Sequence, residues 1–195
     1  MGELPDRTDA PRAEGWFAED LDHLSWAPRH TELIDGALVL RTRPQRSWHS
    51  RVVTVLTGAL EAFVPDGVMV EREMTVKLDR RNRPEPDLPA VSAEFDPDRT
   101  WFAPEQVSLV VEVVSPESAR RDRVVKVRKY AEAGIPHYWV VEEESGLPVV
   151  HVFELEAIAS SYAPAGIFRG RLRRPVPFAV DLDLDGLVPV RKRAD

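Results

Sequence analysis

The stretch SLVVEVVSP, Ser108 to Pro116, sets Glu112 among Leu109, Val110, Val111, Val113 and Val114. Side chains two apart on a strand share a face, so Val110, Glu112 and Val114 point one way and Leu109, Val111 and Val113 the other. Both faces are apolar, which is the composition of a central strand covered on both sides, and the chain must therefore build packed layers around a sheet. The same stretch poses a chemical problem. An ionised carboxylate in that setting costs several kcal/mol unless a cation or strong donors compensate it. The plainer solution is a pairing with one of the chain's many arginines; the other is a functional site.

The elements around this strand follow from pattern and turn chemistry. TELIDGALVLRT, 31–42, reads as a β-hairpin turning at Asp35-Gly36, because Asp-Gly suits the left-handed geometry of a tight turn. Ser47 can cap a helix whose apolar residues Val52, Val55, Leu56, Ala59 and Phe63 recur at spacings of three and four, ending before Pro65. MVEREMTVKL, 69–78, alternates as a strand with one wet face, and RRNRPEP after it reads as a charged loop. Asp87-Leu88 opens a further extended piece that Pro89 breaks early. Beyond Pro116 the pattern becomes helical from about Arg121, with Val124, Val127 and Ala131 on the packed face and Gly134 and Pro136 at the stop. HYWVVEEE, 147–155 and the stretch 167–184 follow as strands. The order is that of an α/β (α+β) fold: a central sheet with flanking helices, an N-terminal hairpin and extra C-terminal strands. A chain of 195 residues fits one domain. The expected organisation is a disordered tail over 1–15 and a single domain over 16–195.

Composition narrows the chemistry. With no cysteine, thiolate zinc sites and cysteine nucleophiles are excluded, and oxygen and imidazole remain as ligands for a hard cation. No apolar run approaches the roughly 20 residues of a membrane-spanning helix, and no secretory signal opens the chain, so a cytoplasmic location without membrane attachment is expected. The net charge of −7 argues mildly against nucleic acid, but RRDRVVKVRK, 120–129, holds six basic residues against one acid. That distribution allows a basic rim beside an acidic site, or merely solvated faces.

Asp87 starts the extended piece before the Glu112 strand, where a return of the chain can set the two carboxylates side by side. Two oxygen ligands on neighbouring strands suit Mg²⁺, which takes few protein carboxylates and keeps several waters. At 100° per residue, Asp122, Lys126 and Tyr130 lie along one flank of the following helix, so Lys126 can lean over the strand's end.

PxPD, LVVEVVSPES and DxxxKxxxYAxAGIPHYWVV together resemble the Uma-two family of restriction-endonuclease-like proteins, within the PD-(D/E)XK nuclease superfamily. The resemblance runs from about TELIDG to DLDLDGL and is most specific over 109–141. It implies a central mixed sheet with flanking helices and an endonuclease that uses Mg²⁺ or Mn²⁺ to hydrolyse phosphodiester bonds, in DNA first of all. Asp87 and Glu112 would bind the metal. The superfamily's lysine two residues after the Glu falls here on Val114, a departure that the Uma-two branch shares; Lys126 is inferred as its replacement, with Lys129 as the rival, and loss of Lys126 is expected to spare folding. Glu32 and His49 match positions that the family often keeps, and Glu71 and Asp122 are further accessory candidates. Arg120, Arg121 and Arg123, with Arg41, Arg43, Arg46 and Arg51, are candidates to contact phosphates or else solvated side chains, and Arg169, Arg171 and Arg173 on one strand face are either a phosphate rim or a guard on an edge strand. A catalytically silent module of the same fold, binding nucleic acid or a protein, is the alternative function, and apolar sheet edges admit a homodimer.

Overall fold

The computed structural model describes residues 13–40, 44–114 and 121–189, except for the side chains of 121–123. Most of the expected tail, and Arg41, Arg43 and Arg120, lie outside the described residues. β1 (Glu32–Ile34) and β2 (Ala37–Val39) form the expected hairpin, with Asp35 at φ 51° and Gly36 at φ 77° supplying the turn's left-handed backbone. α1 (Ser47–Glu61) follows, but its N-cap is Arg46, so Ser47 is already helical and caps nothing. Its fully buried apolar stripe is Val52, Val53, Leu56 and Leu60. Then come β3 (Val68–Val70), β4 (Thr75–Val76), β5 (Leu88–Ser92), β6 (Trp101–Phe102) and β7 (Val107–Val113). α2 (Val127–Glu132) leads to β8 (His137–Glu144), β9 (Leu147–Glu156), β10 (Ser161–Arg169), β11 (Arg171–Arg174) and β12 (Val180–Asp183).

Six strands make the central mixed sheet in the order β10-β9-β8-β7-β5-β3. β7 and β8 run parallel and the remaining neighbours antiparallel. Parallel neighbours need a long crossover, and the segment containing α2 provides it. β7 is central and buried on both sides, as its composition requires: Leu109, Val111 and Val113 pack with α1 and the β11–β12 ribbon, and Val110 packs with Val76, Phe102, Tyr130 and Tyr138. Among the described residues no helix is long and apolar enough to cross a membrane.

Three expectations need correction. The strand expected over 69–78 is two pieces, because Val70 belongs to one core and Val76 to the other. An even separation on one strand would put both on the same face, so the chain must turn between them, and Glu73 at φ 53° marks the break. Pro89 does not end β5, which runs through it to Ser92. On the second helix the packed face is rotated. Arg121–Lys126 forms a π-helical turn, in which the 100° spacing of an α-helix does not apply. Val124 is consequently 62% exposed, and Lys126, Lys129, Tyr130 and Ala131 face inward.

The RRNRPEP segment is the expected loop, with Arg80 exposed, but it turns inward: Asn82 to Ala90 are buried throughout. Arg83 makes this tolerable. Its guanidinium donates to both Asp22 oxygens at 2.8 Å, to the Ala18 carbonyl at 2.9 Å and to Thr75 Oγ1 at 2.8 Å. Burial pushes the Asp22 pKa up, but hydrogen bonds from Arg83 and Thr100 outweigh it and hold the carboxyl below its ordinary 3.8. A depressed carboxyl stabilises the fold above the unfolded-state value and ceases to do so as pH falls through the folded one. Arg83→Ala should therefore cost on the order of 3 kcal/mol in urea unfolding at neutral pH. The cost should shrink as the pH drops below 3.8.

Candidate active site

Glu112 is 1% exposed and sits near the C-terminal end of β7. Its Oε1 accepts from Lys126 Nζ at 2.8 Å and from the Tyr130 hydroxyl at 3.0 Å. Lys126 ends the π-helical turn with no exposed surface, and its Nζ also lies 2.6 Å from Glu32 Oε1 and 3.4 Å from the Glu85 carbonyl. The rotation of the helix is what sends this lysine inward. Glu32, equally buried, comes from the hairpin: Leu33 and Arg83 exchange backbone hydrogen bonds at 3.1 and 2.8 Å, which lays β1 against the segment entering β5. The Glu85 N–H then donates to Glu32 Oε1 at 2.9 Å. One ammonium thus joins β7, the hairpin and the crossover.

Asp87 stands across from Glu112, since the Leu88–Val111 register carried one pair further sets them opposite. Its Oδ2 accepts the Val113 N–H at 2.7 Å, and its Oδ1 lies 3.3 Å from Nε2 of the buried His49 on α1. The contacts of the pair thus run in different directions, Asp87 towards α1 and Glu112 towards the crossover. Both are oxygen donors at adjoining strand ends, a set suited to a hard cation. Among the described residues no three carboxylate or imidazole groups converge on one point, so water and substrate oxygens would complete such a coordination sphere. Burial, then the charges of Glu112 and Glu32, push the Tyr130 pKa well above 10, so the phenol stays protonated and donates.

Of the residues singled out in the sequence, Glu32, Glu112 and Lys126 form one contact group and His49 and Asp87 another, on the facing ends of β7 and β5. Others stand apart. Lys129 reaches past the site to Asp35 on the hairpin turn, so it is not a second ammonium at Glu112. The Glu71 side chain lines a shallow hollow of about 250 Å³ with Met69, Glu94 and Phe95. Asp122, Arg121 and Arg123 lie on the π-helical turn, with their side chains outside the described set. Arg46 and Arg51 line an open cleft of about 800 Å³ between α1 and the β8–β9 turn, where Arg46 pairs with Glu143 at 2.8 Å; none of the buried carboxylates lines it. Arg169, Arg171 and Arg173 do not share one strand, because Gly170 at φ 68° turns the chain between β10 and β11. They pair with Glu144 and Asp181.

Two groups escaped the sequence reading. Glu85 is buried and meets His30 Nδ1 at 2.7 Å, and Tyr130 lay on the expected flank without a role. Glu85 stands two before Asp87, a strand-like spacing that the reading of RRNRPEP as a loop concealed.

A profile of the Uma2 family, described as "Putative restriction endonuclease", matches residues 18–185, and the chain belongs to that family. A crystal structure titled as "a putative nuclease belonging to DUF820" from Anabaena variabilis superposes with a TM-score of 0.67 at 16% identity, covering 87% of this chain and 95% of that one. No curated protein matches.

The burial of Lys126 reverses the expectation that its loss spares folding. Removing the ammonium strands buried carboxylate charge, so Lys126→Ala should lower stability at neutral pH by about 3 kcal/mol in denaturant titration. Lys129→Ala, whose partner Asp35 is 62% exposed, strands no buried carboxylate and should cost less than Lys126→Ala in the same titration.

Proposed function

We propose that the chain is a metal-dependent endonuclease that hydrolyses phosphodiester bonds in DNA. The observation that carries this reading is the fully buried Lys126 ammonium held between Glu112 and Glu32, next to the strand end that bears Asp87. A structural lysine has little reason to be there, because burying an ion pair rarely stabilises a fold more than an apolar replacement would.

Asp87 and Glu112 are the residues that would hold Mg²⁺ or Mn²⁺, which would draw charge from a phosphoryl oxygen and acidify water at the site. Lys126 opposes the negative charge that develops on the phosphoryl group as water adds and the bridging P–O bond breaks. Glu112 and Glu32 fix the ammonium's position. His49, against Asp87 Oδ1, steadies that carboxylate. Arg120, Arg121 and Arg123 are proposed to contact the DNA backbone, and the protein is proposed to work in the cytoplasm.

The test is cleavage of duplex DNA and of RNA with Mg²⁺ or Mn²⁺. Wild type should cut DNA and stop on chelation, and Glu112→Gln or Asp87→Asn should lose about 10²-fold or more in rate. Wild type without activity on either nucleic acid would leave a silent module of this fold. Raising the salt should weaken DNA binding, less steeply once Arg120, Arg121 and Arg123 are replaced.

A further inference from the structure

Lys126 alone does not define where the Glu112 carboxylate sits. A flexible carboxylate and an ammonium with four methylenes can meet in many relative positions. A second donor removes that freedom, and the Tyr130 hydroxyl is placed to supply it. It is 3.0 Å from Glu112 Oε1, the same oxygen that receives Lys126 Nζ at 2.8 Å. Two donors converging on one oxygen fix where that oxygen sits.

The tyrosine itself is held rigidly. Its side chain has no exposed surface, and its ring lies 5.6 Å from that of Tyr138. Tyr138 stacks in turn on Tyr162 at 5.5 Å and 23°, and the Tyr162 hydroxyl donates to the Ile135 carbonyl at 2.7 Å. This column of rings is anchored on β8 and β10, so the phenol's position is set by the sheet. Tyr130 lies four residues after Lys126, on the α-helical segment that directly follows the π-helical turn.

We infer that Tyr130 is a positioning residue of the proposed nuclease site, fixing Glu112 for the cation and for Lys126 without touching the substrate. The inference rests on the nuclease reading. Burying a tyrosine hydroxyl for stability alone would need only one acceptor; here the acceptor is the one carboxylate oxygen that the ammonium already uses. Removing the hydroxyl leaves the ring column intact and lets Glu112 turn.

The experiment compares wild type, Tyr130→Phe and Tyr162→Phe for kcat and KM on duplex DNA, for affinity towards Mn²⁺ alone, and for melting temperature. Tyr130→Phe should lower kcat by about tenfold, the worth of one hydrogen bond to a charged group, with KM for DNA unchanged. Its Mn²⁺ affinity should weaken several-fold. Tyr162→Phe loses only the column's outer hydrogen bond and keeps every ring and the hydroxyl at Glu112, so it should melt earlier but lose less kcat and Mn²⁺ affinity than Tyr130→Phe. Should Tyr130→Phe not fold, Tyr130→Met, which refills the ring's space with flexible apolar atoms, is read for the same losses. Wild-type kcat and Mn²⁺ affinity in the Tyr130 variant, with Glu112→Gln inactive, overturn the positioning role alone. A wild-type chain that neither cuts DNA nor binds Mn²⁺ overturns the nuclease reading and this inference together.

Discussion

The ammonium of Lys126, out of contact with solvent and gripped by two carboxylates from different parts of the chain, is the interaction on which the site depends. Without it, Glu112 would be a charge inside a valine strand and Glu32 a charge inside a hairpin packed on that strand's neighbour. With it, three segments that the backbone alone connects loosely are drawn to one point. The coupling works in both directions: the carboxylates make the lysine's burial tolerable, and the lysine gives the carboxylates a fixed geometry.

The sheet explains why such a site forms here. β7 and β8 are parallel, so the chain must leave the end of β7 and cross over before returning. The crossover begins beside the strand end that holds Glu112, and its π-helical turn rotates Lys126 towards that carboxylate. Val114, two residues past the glutamate, is apolar, and the ammonium at Glu112 comes from the crossover instead of from the sheet.

Much of this was legible in the sequence because the relevant signals are local. Asp35-Gly36 specified the hairpin turn, the valine run specified a buried central strand, and Glu112 within it demanded a partner. Lys126 could be placed near that partner because the chain separation between them is short. What remained hidden depended on long-range contacts or on irregular backbone. Nothing local announces that residues 82 to 90 are interior, since their burial relies on Arg83 finding Asp22, 61 positions earlier. The helix's inward face was misread because a π-helical turn alters the angular spacing, and apolar residues such as Val124 were assigned the interior that charged ones occupy. A rule that hydrophobic residues mark the packed face fails where buried carboxylates draw in the lysines.

The central claim is that Lys126 acts at the chemical step as well as in folding. The most direct measurement is single-turnover cleavage of duplex DNA by Lys126→Gln, with the folded fraction read by circular dichroism on the same sample. The predicted result is a fall of about 10²-fold or more in rate per folded molecule. A rate per folded molecule equal to that of wild type would contradict the account.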